Sequence, residues 1–204
     1  MRSLTSELTR RSLEITVKDP RAVQKVYSWL RELGLESLVE VSTTGIEVPD
    51  AVLSSGDPAV FACWLAMTLT ATKRVALGVD LGSRHLGLAV VIGGVLAFSS
   101  VARNPKRLVH VISALVGLGA EVHVRIGYSS HLAALAKELY KKLEAVGAQV
   151  ELLGNEQVKE SVILGDFTQL GKLSSHELDA LKIALARDAG TSRSHASFHR
   201  HISN

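Results

Sequence analysis

Two places in this 204-residue chain combine residue types and spacings suited to chemistry: an aspartate that breaks an apolar run, and a histidine three residues ahead of a second aspartate. Asp80 follows the run Val-Ala-Leu-Gly-Val at 75–79, which reads as a strand buried on both faces. A buried carboxylate without a partner is costly. Either Asp80 caps the following turn through Ser83 and backbone N–H groups, or it ligates a metal ion. His176 and Asp179 lie in HELDALKIALA at 176–186, and their separation of three places both on one face near a helix start. Leu181, Ile183, Ala184 and Leu185 pack below them. Such a pair suits cation binding or proton transfer; equally, the histidine is a cap and the aspartate complements the helix dipole.

The elements that must position these residues follow from patterning. Residues 13–17 alternate apolar and polar as a strand, and Asp19-Pro20 opens a helix whose Val23, Val26, Tyr27, Leu30 and Leu33 share one face before Gly34 stops it. Two short strands flank Thr43-Thr44-Gly45, and Asp57-Pro58 opens a second helix that is apolar nearly all round over 57–73. That helix must be buried between this β-α-β-β-α segment and something larger. The spacing predicts a small α+β unit at 1–74. Beyond it, the apolar runs 75–79, 86–92 and 95–98, joined by short Gly-containing turns, predict an antiparallel meander. A helix at about 104–118 follows, opened by Lys106 and Arg107 as a solvated surface, then a strand at 122–126, a helix at 130–145, a strand at 149–153 and a helix at 175–187. In the helix 130–145, lysines interleave with glutamates as on an exposed face. The second unit spans 75–190, and the polar tail 191–204 reads as mobile.

Composition bounds the class. With 47% apolar and 21% charged residues, the chain is a folded, soluble protein rather than a disordered one. Its one cysteine, Cys63, rules out an intramolecular disulfide or a multi-cysteine metal site and points to an intracellular, cytoplasmic setting. The opening MRSLTSELTRRSLEI lacks the apolar core of a signal peptide, and no apolar run reaches the roughly eighteen residues of a membrane span. Residues 1–74 hold nine Lys and Arg against nine Asp and Glu, so the net charge of +3 comes from 75–204, with fourteen against eleven. This balance is compatible with a nucleic-acid partner without requiring one.

The β-β-β-α-β-α-β-α order of the second unit resembles the ribonuclease H-like fold, an α/β fold with a mixed five-stranded sheet, a central first strand and helices on both faces. GVDLGSRHLGLAV at 78–90 resembles the opening motif of the YqgF/RuvC group of nucleases, with Asp80, Gly82, Ser83, Arg84, Gly87 and Ala89 in register. HELDALKIALA is similar to the last catalytic helix of RuvC resolvases, where an acidic residue or His stands three positions before the Asp. RuvC proteins carry a glutamate at the end of the fourth strand, and here that strand, EVHVRIG at 121–127, ends without an acid. YqgF proteins instead carry an Asp-Glu pair after the fifth strand, matched here by Asn155-Glu156.

The resemblance implies a metal-dependent endonuclease, resolvase-like or RNA-processing, that uses Mg²⁺ or Mn²⁺. Asp80, Glu156 and Asp179 would hold the metal, and His176 would be a ligand or proton carrier. Two such ions polarise the phosphate, activate water and stabilise the leaving oxygen. Arg84, Arg125 and Lys159, near the C-terminal edge of the strands, are the expected phosphate contacts. The partner is branched or structured DNA or RNA, and symmetric cutting of a four-way junction implies a homodimer. Two other readings stand beside this one. A non-catalytic nucleic-acid-binding or scaffold protein of the same fold is suggested by the missing fourth-strand acid. An actin-like nucleotide-binding domain shares the Asp-Leu-Gly-Ser opening, but its second phosphate loop has only Asp188-Ala-Gly-Thr-Ser192 as a candidate, placed after a helix rather than in a hairpin.

Overall fold

The computed structural model describes residues 1–154, 170 and 172–186. The first part runs β1 (Arg2–Ser3), α1 (Leu4–Arg10), β2 (Leu13–Thr16), α2 (Pro20–Glu32), β3 (Val39–Val41), β4 (Ile46–Glu47), α3 (Asp50–Ser55) and α4 (Pro58–Thr70). The larger part runs β5 (Arg74–Leu81), β6 (Leu86–Ile92), β7 (Val95–Ala102), α5 (Pro105–Gly117), β8 (Glu121–Tyr128), a single 3₁₀ turn (Ser130–Leu132), α6 (Ala133–Ala145), β9 (Gln149–Gly154) and α7 (Ser175–Leu185). Helices α2, α4 and α5 start in the same way. Asp19, Asp57 and Asn104 each accept a hydrogen bond from a backbone N–H two residues on, and proline follows each of them.

The main sheet has the order β1-β7-β6-β5-β8-β9. Strand β6 is antiparallel to both neighbours, whereas β5, β8 and β9 are mutually parallel. A meander whose first strand is central and is extended on its far side by two parallel strands is the ribonuclease H-like arrangement, as the order of elements predicts. The sheet has six strands where five are expected, because Arg2 and Ser3 pair parallel to Val95 and Leu96 of β7. Two residues carry no detectable period, which is why β1 is silent in the sequence. The two short strands around residues 43–45 flank β2 on opposite sides, both parallel to it, in a separate sheet β3-β2-β4.

Alternation along β5 divides the protein into two layers. Val75, Leu77, Val79 and Leu81 belong to the main core, with Val122, Val124 and Ile126 of β8, and with α4, α5 and α6. Ala76 lies in the other layer, against α7. The main core is continuous from Leu4 to Ala148 and includes α4, whose residues 59–67 are all buried, as its all-round apolar character requires. No helix among the described residues is long and apolar enough to cross a membrane.

Arg107 departs from expectation in part. It is exposed, as expected, but not free: its Nε and Nη2 donate to the two carboxylate oxygens of Asp57 at 2.9 and 3.0 Å, and its guanidinium lies over the Phe98 ring. The bidentate pair ties the start of α4 to the first turn of α5. Burial by itself raises the Asp57 pKa, but the hydrogen bonds from Arg107 and the Ala59 N–H outweigh it and hold the carboxyl below its ordinary value. Asp57→Ala removes both a cap and the partner of Arg107, and costs about 2–3 kcal/mol at pH 7, less than a fully buried pair because Arg107 is partly exposed. A native pKa below the unfolded one stabilises above about pH 4, and that contribution disappears as pH falls through the native value. Urea unfolding of wild type and Asp57→Ala therefore differs fully at pH 7, and the difference shrinks as pH falls below about 4 through the lowered native value.

Candidate active site

Asp80 stands near the C-terminal end of the central strand, one residue before the β5–β6 turn. Its direct neighbours in the ladder are Gly87 on β6 and Gly127 on β8, so neither flanking strand places a side chain beside the carboxylate. The helix that covers it, α7, approaches the sheet at backbone contact. A Cβ built on Gly78 would collide with the Ala180 carbonyl oxygen, and one on Gly87 would collide with the His176 carbonyl oxygen. With Ala89, Ala180 and Ala184 completing the contact, only residues of this size let the helix lie so low.

Five strands fix the path of α7. Ser174 and Glu177 form a capping box: the Ser174 N–H and hydroxyl donate to Glu177 Oε2 at 3.0 and 2.7 Å, and the Glu177 N–H donates to Ser174 Oγ. Glu177 Oε1 also accepts from Ser99 Oγ of β7 at 2.8 Å, which anchors the helix start. The helix then crosses β6 at Gly87 and β5 at Gly78. Arg125 of β8 donates to the Ala184 carbonyl at 3.1 Å, and Leu153 of β9 packs with Ile183 and Ala186. Burial would raise the Glu177 pKa, but its hydrogen bonds from Ser174 and Ser99 prevail and lower it.

The result is that His176 and Asp80, 96 residues apart in the chain, are joined by a 2.7 Å hydrogen bond between Nδ1 and Oδ2. The Asp80 side chain keeps 26% of its exposure and that of His176 44%, so the pair opens to solvent. The His85 ring stands 6.3 Å from that of His176, tilted by 36°. With Nδ1 directed at the carboxylate, Nε2 is left for water or a ligand, and Asp80 Oδ1 has no recorded partner among the described residues.

The other expected site residues are placed differently. The Asp179 carboxylate is half exposed and accepts from Lys182 Nζ at 2.9 Å, with no hydrogen bond to Asp80 or His176 among the described residues. Arg125 pairs with Glu151 at 2.9 Å as well as capping α7, contacts that explain it as a brace between sheet and helix. Arg84 is exposed at the tip of the β5–β6 turn. Glu156 and Lys159 lie outside the described residues, as do Asn155, Asp188 and the tail 191–204. Among the described residues, no group of three or more His, Cys, Asp and Glu side chains is placed to hold a metal ion. Asp80 and His176 by themselves would offer a cation one oxygen and one imidazole nitrogen, a pair that suits Mn²⁺ better than Mg²⁺. Sequence reasoning missed Glu177 and Ser99. The Ser-x-x-Glu spacing at 174–177 signals the former, but nothing local signals the latter.

No protein-family model matches this chain, and no curated protein matches it. Among solved structures, the Thermus thermophilus RuvC structure is similar to it with a TM-score of 0.38 and 24% sequence identity, over 54% of this chain and 90% of that one.

The glycine contacts carry a direct test. Gly78→Ala sets a methyl against the α7 backbone and costs at least about 2 kcal/mol by urea unfolding. Gly117→Ala, at a helical position with open space around its Cβ, is the matched control and is neutral or slightly stabilising.

Proposed function

We propose that this protein is a metal-dependent phosphodiesterase of the nuclease type, acting on branched or structured DNA or RNA, with Asp80 and His176 at its centre. The observation that carries this reading is their 2.7 Å contact at the C-terminal end of the central strand. That end is where open α/β sheets bind ligands. A divalent ion bound at Asp80 and His176 would supply polarisation of the scissile phosphate and a lowered pKa for the attacking water.

The chain's own residues have separable roles. Asp80 orients the His176 ring through Nδ1 and offers Oδ1 to the cation. His176 Nε2 accepts a proton from water or completes the coordination. Glu156 is the proposed third acid: it lies two residues beyond Gly154, and Gly154 is aligned through Tyr128 with Leu81, next to Asp80. Asp179, paired with Lys182, would be a further carboxylate for the cation if one displaced that ammonium. Arg84 and Lys159 are proposed phosphate contacts. For a four-way junction, paired cuts call for two copies of the chain.

Cleavage of labelled four-way DNA junction, duplex DNA and hairpin RNA in Mn²⁺ or Mg²⁺ tests the reading. Wild type is expected to cut one of them, more readily with Mn²⁺. Asp80→Asn and His176→Ala each lower the rate roughly 10²-fold or more, Glu156→Gln lowers it too, and chelation abolishes it. A wild type that binds these substrates and cuts none in either metal is instead a binding protein of this fold, the reading favoured by the Asp179–Lys182 ion pair.

A further inference from the structure

On the other side of the β5–β6 turn from His176 lies a pocket of about 90 Å³, between the turn and the helices α5 and α6. Leu81, Leu86 and Leu139 contribute apolar wall, and Arg84, Arg103 and Lys142 bring three cations against one carboxylate, Glu138. That carboxylate is already engaged: Lys142 Nζ donates to it at 2.6 Å. Arg84 and Arg103 are both exposed and have no recorded ion-pair partner among the described residues. Like-charged guanidiniums left uncompensated around one small concavity favour an anion there.

Size and position narrow the ligand. The pocket is small, about 90 Å³, and opens to solvent beside Arg84, Arg103 and Lys142, which suits a compact anionic group such as a phosphate. The pocket sits where the strand order reverses, with α5 following β7 on one side of β5 and α6 following β8 on the other. Gly82 links it to the catalytic pair. It lines the pocket, its N–H donates to the His85 carbonyl at 3.0 Å to close the turn, and a Cβ on it would come within 3.9 Å of His176 Cε1.

We infer that this pocket is a phosphodiester subsite, in which Arg84 and Arg103 hold a backbone phosphate of the nucleic acid neighbouring the one presented to Asp80. The inference rests on the nucleic-acid reading above and deepens it. It assigns Arg103 to binding and gives Arg84 a partner. Arginine suits the role because its planar fork grips two phosphate oxygens at once.

The test is fluorescence anisotropy of labelled four-way DNA junction and hairpin RNA across a salt series, for wild type, Arg84→Gln/Arg103→Gln and the remote charge control Arg21→Gln. The double variant is expected to bind at least tenfold more weakly, with a salt slope on the four-way junction, whose arms are duplex, shallower by about 0.9 for one lost phosphate contact, while Arg21→Gln matches wild type. Wild-type binding that the double variant reproduces in affinity and slope overturns the subsite and leaves the catalytic reading standing. Absence of binding by wild type overturns both. Calorimetry with inorganic phosphate separates the source of the anion: arginine-dependent phosphate binding beside unchanged junction and RNA affinity assigns the pocket to a free ligand and overturns the inference.

Discussion

The contact between α7 and the glycines of β5 and β6 governs the rest of this structure. A helix ordinarily rests on a sheet through interlocking side chains. Here Gly78 and Gly87 meet Ala180 and the His176 backbone directly, so the helix sits lower than side-chain packing allows. Lowering the helix brings the first-turn His176 within hydrogen-bond reach of a strand carboxylate, which explains how a short imidazole spans from helix to sheet. The same contact gives Asp80 a partner on a face otherwise lined by Ala76 and Gly78. The interaction that stabilises the layer is therefore also the one that builds the site.

The brace around this contact divides its labour by distance. Near the site, the Glu177 carboxylate serves three donors and fixes where the helix begins. Far from it, Arg125 satisfies the Ala184 carbonyl at the other end, where helices leave acceptors without partners. Pinned at both ends and seated in the middle, α7 has little freedom to slide, and the geometry of the His176–Asp80 pair is inherited from contacts that include no reacting atom.

Much of this was legible in residue patterns because the signals are local. Asp-Pro pairs announce α2 and α4, the interrupted run at 75–80 announces both β5 and its exceptional carboxylate, and His-x-x-Asp marks the start of α7. What was not legible depends on distant partners. Arg107 reads as a surface residue until Asp57, fifty positions earlier, is placed against it. Asp179 shares a helical face with His176, yet its nearest cation is Lys182 on its own helix, so spacing alone could not tell a ligand from an ion-pair partner. Strand β1 is two residues long and exists only because β7 offers an open edge.

Helix α4 carries a consequence for how the chain is made. It is apolar around its circumference, and its cover comes in large part from β6, β7 and α5, all encoded after it. At about 5–20 residues per second, α4 is synthesised a few seconds before the last of those elements. Until then α4 has an uncovered apolar side, and α1 lacks the β7 strand it packs against. The apolar circumference of α4 is therefore fully covered only once β6, β7 and α5 are in place.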